Sequence, residues 1–210
     1  MRERVDRQQI ELFLLQLGRH FPRPGRVYLV GGTTLVYEGL RQQTLDVDIT
    51  FDVANEDHSR FVAVVRQLKE SLSLNIEEVS PAEFIPLPAG HRERSEFIGR
   101  YDQLDVFHFD LYSAALSKIE RGTENDFADV LSLLRSGRLE MAQLTAYFEE
   151  ILPLFATRSL KQNPDAFRRK FALLTQLWIE EMPPITASLW GILADAPVTE
   201  ADYRRYLEEK

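Results

Sequence analysis

Cysteine is absent from all 210 residues. That excludes disulfides, thiolate zinc sites and a cysteine nucleophile, and it fits a reducing cytoplasm. A basic surplus is also absent: 33 Asp and Glu against 25 Lys and Arg give a formal charge of −8. Proteins that grip nucleic acid mainly through phosphates carry the opposite excess. Such binding here would need a local patch, drawn from His91, Arg92, Arg94 and Arg100, or from Arg158, Lys161, Arg168, Arg169 and Lys170. The plainer reading of both groups is solvated loops and helix faces. The opening stretch MRERVDRQQIELFLLQL holds too few consecutive apolar residues for a signal peptide or a membrane span. The four histidines, at 20, 58, 91 and 108, lack the i, i+4 spacing of a helical zinc site. The expectation is a soluble cytoplasmic protein with no membrane partner.

What remains is ordinary globular material, 44% apolar and 28% charged. Ile10, Phe13, Leu14 and Leu17 recur at helical spacing and predict a helix over 7–18, closed by Gly18. Strands are predicted at 27–30, 45–51, 74–79 and 104–109, with helices at 33–40 and 56–71 between them. Residues 84–87 read as a short extended piece and 88–100 as a charged mobile loop. Beyond Tyr112 the periodicity is helical throughout: 112–121, 125–135, 139–152, 164–181 and a tail near 199–209. Phe167, Phe171, Leu174 and Trp178 form a packing stripe on the fourth of these. Strands mixed with helices, then helices alone, predict an α+β fold. Its mixed sheet and N-terminal helix would occupy 1–110, with a helical region over 111–210 packed on it.

The stretch VYLVGGTTLVYEGLRQQTLDVDITF, residues 27–51, organises the rest. Asp46 and Asp48 lie two apart in a strand, so both carboxylates project from one face while Val47 and Ile49 turn to the core. Paired like charges are tolerated where a divalent cation sits beside them. Gly31 and Gly32 end the preceding apolar run, and such a turn exposes backbone N–H groups to an anion. Thr33 could meet a phosphate or cap the helix. Arg41 and Thr44, just before the aspartates, could reach phosphate oxygens. The combination suggests chemistry on a metal–nucleotide.

Gly-Gly, thirteen residues and Asp-Val-Asp-Ile resemble the signature of the polymerase-β-like nucleotidyltransferases. A second block, LYSAALSKIERGTENDFADVLSLL at 111–134, resembles the Lys…Arg…Asp-x-x-Asp segment of AbiEii-type toxins and related minimal nucleotidyltransferases. SPAEFIPLPAG at 80–90 is similar to a bacterial branch of that group. The resemblance implies a nucleotidyltransferase-like fold and Mg²⁺ held by Asp46 and Asp48. It further implies transfer of a nucleotidyl group from an NTP to a protein side chain or a tRNA end. The setting it implies is a toxin–antitoxin or phage-defence pair with a cognate partner protein. Lys118, on an otherwise apolar helix, would contact the nucleotide phosphates together with Arg121. Asp126 or Asp129 would orient them.

The superfamily has a third carboxylate able to bind metal or take a proton. Glu77, Asp105 and Asp110 are candidates, chain order favouring Glu77, and Asp110 could instead cap the helix after it. Two other readings stand beside this one. A non-catalytic module of the same fold would bind a nucleotide or partner, as an antitoxin does. An enzyme acting on a small cationic acceptor would need a deep acidic pocket. Trp190, Ile192 and Leu193 in the tail could dock on the domain or on a partner.

Overall fold

The computed structural model describes residues 4–156 and 163–181. The predicted tail helix, Trp190, Ile192, Leu193, Arg158 and Lys161 lie outside them. Five strands form one mixed sheet: β1 (Gly25–Leu29), β2 (Val47–Val53), β3 (Ile76–Glu78), β4 (Glu96–Tyr101) and β5 (Leu104–His108). Their order is β3-β2-β1-β5-β4. β1 runs antiparallel to β2 and parallel to β5, β2 is parallel to β3, and β4 and β5 form an antiparallel hairpin. The helices are α1 (Arg7–His20), α2 (Gly31–Tyr37), α3 (His58–Ser71), α4 (Leu111–Arg121), α5 (Glu124–Arg135), α6 (Met141–Ile151) and α7 (Pro164–Glu181). The fold is α+β with a helical C-terminal part.

One face of the sheet is apolar and covered. Val27, Leu29, Val47, Ile49, Leu104 and Val106 pack with Ile10, Phe13, Leu14 and Leu17 of α1 and Phe61, Val64 and Leu68 of α3. This follows from strict alternation along β1, β2 and β5. A second apolar cluster gathers the inward stripes of α4 to α7, and Leu35 of α2 and Ile85 join it. Phe148 stacks on Phe171 with ring centroids 4.0 Å apart, so the predicted stripe on α7 is packing surface.

Helix ends follow local chemistry. Asp6 and Gln9 form a reciprocal capping box at the start of α1. Asp110 caps α4 by accepting from the N–H groups of Tyr112 and Ser113. Thr123 caps α5 through Asp126 N.

Three predicted elements are corrected. Residues 88–100 are not one mobile loop, because Glu96–Tyr101 is the edge strand β4. Its outward residues are charged or exposed, and a register shift between Phe97 and Gly99 blurs the alternation. Helix α2 begins at Gly31 and ends at Tyr37, not at 33–40. Helix α1 continues past Gly18 to His20. There the glycine serves close packing, since a β-carbon on it would lie 2.6 Å from the Tyr101 carbonyl oxygen.

Alanine at a helix interior ordinarily adds about 1 kcal/mol over glycine. Gly18→Ala is expected to do the opposite here, lowering stability by about 1–3 kcal/mol in urea unfolding because α1 must move off β4. A gain in stability would contradict this packing.

Candidate functional site

The sheet's other face carries the site. Asp46 and Asp48 share it, and Glu77 stands directly opposite Asp48 in the parallel β2–β3 ladder. Gly31 is what lets the chain pass Asp48. Its φ is +59°, and a β-carbon there would sit 2.5 Å from Asp48 Oδ2. Burial and then the neighbouring charges of Asp46 and Glu77 push the Asp48 carboxyl up from 3.8 to about 6, against the pull of Lys118 and Arg121.

Facing the acids are cations from the helical part. Lys118 is almost fully buried, with Nζ 2.7 Å from Asp129 Oδ2 and 3.6 Å from Asp126 Oδ1. Arg121 donates to Asp126 Oδ1 at 2.5 Å, and its guanidinium lies 5.5 Å from the Phe84 ring. Arg41 reaches across to pair with Asp129. Burial opposes the charge on Asp126, but hydrogen bonds from Arg121 and Thr123 outweigh it and hold its carboxyl below the usual range. The result is a chain of alternating charge, Arg41–Asp129–Lys118–Asp126–Arg121, with three cations on two carboxylates.

A cavity of about 200 Å³ lies between these groups. Asp46, Asp48, Glu77 and Gly31 line one side and Lys118 and Arg121 the other, with Phe84 and Pro81 at the wall. Other predicted site residues lie elsewhere. Thr33 is fully buried; its hydroxyl accepts from Asp48 N at 2.7 Å and donates to Asp46 O at 3.3 Å. It is therefore spent on fixing β2 and does not face a phosphate. Arg41 and Thr44 do not line the cavity: Arg41 is taken by Asp129, and Thr44 pairs its backbone with Val5. Gly32 lies beside Thr44, its hydroxyl 2.5 Å from where a β-carbon would be.

Two of the third-carboxylate candidates are engaged away from the aspartates. Asp110 accepts two bonds from Arg94, at 3.1 and 2.9 Å, and one from the Ser113 hydroxyl at 2.6 Å while capping α4. Asp105 pairs with Arg100 and lies beside Arg26, toward the start of β1. Glu77 is left as the acid beside Asp48. Sequence reasoning missed Asn75, whose Nδ2 donates to Asp46 and, at 2.7 Å, to Glu77 Oε1. An amide that bridges two carboxylates holds them together without adding charge. Its place one strand residue before Ile76, two before Glu77, was the available signal.

Over residues 8–175 the chain matches a family described as "Nucleotidyltransferase of unknown function (DUF6036)". It belongs to that family. No curated protein and no solved structure matches it. For a member of a nucleotidyltransferase family, the donor set bears on a divalent cation. Among the described residues no three His, Asp or Glu side chains are arranged to hold a metal alone. Mg²⁺ does not need such a cage, because it binds through one or two carboxylates and completes its shell with water and phosphate. Asp46 and Asp48 fit that requirement. Burial raises the Asp48 carboxyl first and the charges of Asp46 and Glu77 second, and a cation would offset both. No helix among the described residues is long and apolar enough to cross a membrane.

The Asp48 shift has a stability consequence. Between pH 3.8 and about 6 the folded chain keeps a proton that the unfolded chain has lost, so stability falls as pH rises through that window. Asp48→Asn removes this loss. In urea unfolding with chelator present, wild type is expected to lose on the order of 2 kcal/mol more than the variant between about pH 4 and about pH 7. Parallel pH curves would contradict a charged cluster at Asp48.

Proposed function

We propose that this chain is a Mg²⁺-dependent nucleotidyltransferase that moves a nucleotidyl group from an NTP to an acceptor hydroxyl and releases pyrophosphate. The observation that carries it is the single cavity with a carboxylate wall and a cationic wall. A triphosphate with its counter-ion needs both: acids to hold the ion, cations to take the phosphate oxygens. At about 200 Å³ the cavity suits the phosphate end of an NTP, below the 300–1,000 Å³ of whole-ligand pockets.

The residues divide the work. Asp46 and Asp48 would hold the ion, which would supply neutralisation of the triphosphate charge. Lys118 and Arg121 exchange part of their contact with Asp126 and Asp129 for phosphate oxygens. Those aspartates hold the cations in place before the nucleotide arrives. Glu77, beside Asp48, accepts the proton of the acceptor hydroxyl as its oxygen attacks the α-phosphorus and pyrophosphate departs. Asn75 keeps Glu77 and Asp46 in register. The resemblance of residues 111–134 to AbiEii-type toxins points this activity toward a toxin–antitoxin or phage-defence pair with a partner protein.

A specific observation favours a second reading, a nucleotide-binding module without turnover. Glu77 and Asp46 share the Asn75 amide, and among the described residues no three acids form a metal site by themselves.

Calorimetric titration with each NTP, with and without Mg²⁺, tests the proposal. Wild type is expected to bind at least one NTP only with Mg²⁺, and Asp46→Asn/Asp48→Asn is expected to lose at least tenfold in affinity, about 1.4 kcal/mol. Wild-type protein that stays folded and binds no NTP would overturn it. Mg²⁺-dependent binding without pyrophosphate release in the presence of candidate acceptors would favour the second reading.

A further inference from the structure

The open face of the sheet does not end at the acids. Residues paired across strands share a face, and the registers give three rows. Asp48 and Glu77 make the first. Thr50, Tyr28, Phe107 and Phe97 make the second, running from β2 through β1 and β5 to the edge strand β4. Asp52, Arg26, Asp105 and Arg100 make the third.

The middle row carries three rings, with Phe97 turned to solvent and Tyr28 and Phe107 half-buried. Tyr28 stacks on Phe107 with centroids 5.5 Å apart and 28° between planes. Phe107 meets Phe97 edge to face, also at 5.5 Å. Phe97 is 60% exposed, and neither Phe107 nor Tyr28 is buried. The 80–95 segment and Phe109 wall the Tyr28 end of the row, and the Phe97 end is open. Arg26 lies 6.0 Å above the Phe107 ring. Arg92, exposed, lines a hollow of about 250 Å³ with Tyr28, Thr50, His91 and Phe109. Neither arginine has a carboxylate within ion-pair distance among the described residues. Ser80 lines this hollow, and its chain neighbours Val79 and Pro81 line the acid–cation cavity. The two spaces share that wall.

We propose that this aromatic row is a stacking platform for an unpaired polynucleotide segment, leading its terminal hydroxyl toward Asp48 and Glu77. Binding to the platform stands on the rows alone; the role of the bound strand as acceptor rests on the nucleotidyltransferase reading above. Rings on neighbouring strands, with Arg26 and Arg92 beside them, match successive unstacked bases and their phosphates. Stacking also resolves the charge problem. A chain of net charge −8 gains little from counter-ion release, whereas base–aromatic stacking adds affinity beyond the phosphate contacts.

The test uses the full chain, no NTP, and a fluorescent ten-nucleotide single-stranded RNA followed by anisotropy. Wild type is expected to bind it, and to bind the same sequence as a duplex more weakly. Phe97→Ala, a surface change, is expected to weaken binding roughly tenfold. The dependence of log K on log salt is expected to have a slope near −1.4, for two phosphates met by Arg26 and Arg92. Asp46→Asn/Asp48→Asn is expected to keep RNA binding, which separates this result from any failure of nucleotide binding. Absence of wild-type binding, or binding that Phe97→Ala leaves unchanged, would overturn the platform. So would tight retention of an unstructured tyrosine-bearing peptide by the same rings with no affinity for RNA.

Discussion

Three carboxylates at neighbouring positions, Asp46 just before β2, Asp48 on it and Glu77 on β3, repel one another, and much of this molecule answers that repulsion. Thr33 pins the β2 backbone on both sides of Val47, so the aspartates cannot swing apart. Asn75 bridges Asp46 and Glu77 with a neutral amide. Gly31 leaves room for Asp48 where any side chain would collide with it. Lys118 and Arg121 partly offset the charge from across the cavity, yet burial and the neighbouring acids still push the Asp48 carboxyl up to about 6. A fold that holds such a cluster keeps stability in reserve for a ligand that resolves it.

The helical part is tied to this arrangement by charge as well as by packing. Arg41 leaves the loop before β2 and reaches Asp129 on α5, which also holds Lys118 on α4. Leu35 and Ile85 carry apolar contact from the sheet region into the α4–α7 cluster. Breaking a buried pair such as Lys118–Asp129 leaves one charge stranded, so these residues act as a unit. The helices therefore supply one wall of the site, and the sheet supplies the other.

Much of this was legible in the sequence because it depends on short-range periodicity. The period-2 alternation around Asp46 and Asp48 gave their common face, and α4 and α5 were marked by apolar spacing, with Lys118 standing among Leu111, Ala114, Ala115, Leu116 and Ile119. Strand β4 was hidden, since edge strands with one exposed face and a bulge lose their alternation. Thr33 and Arg41 were read toward a phosphate because local sequence cannot show that a hydroxyl or guanidinium is already engaged by a residue 13 to 88 positions away. The choice among Glu77, Asp105 and Asp110 had the same origin. Only strand order puts Glu77 beside Asp48 and leaves Asp110 to Arg94.

The most direct measurement is anomalous diffraction from crystals soaked with Mn²⁺ and a non-hydrolysable NTP, Mn²⁺ sharing the octahedral oxygen preference of Mg²⁺. The expected result is a manganese peak within bonding distance of Asp46 and Asp48, with triphosphate oxygens on Lys118 and Arg121. A manganese peak away from both aspartates, or a triphosphate bound without contact to Lys118 and Arg121, would contradict the account.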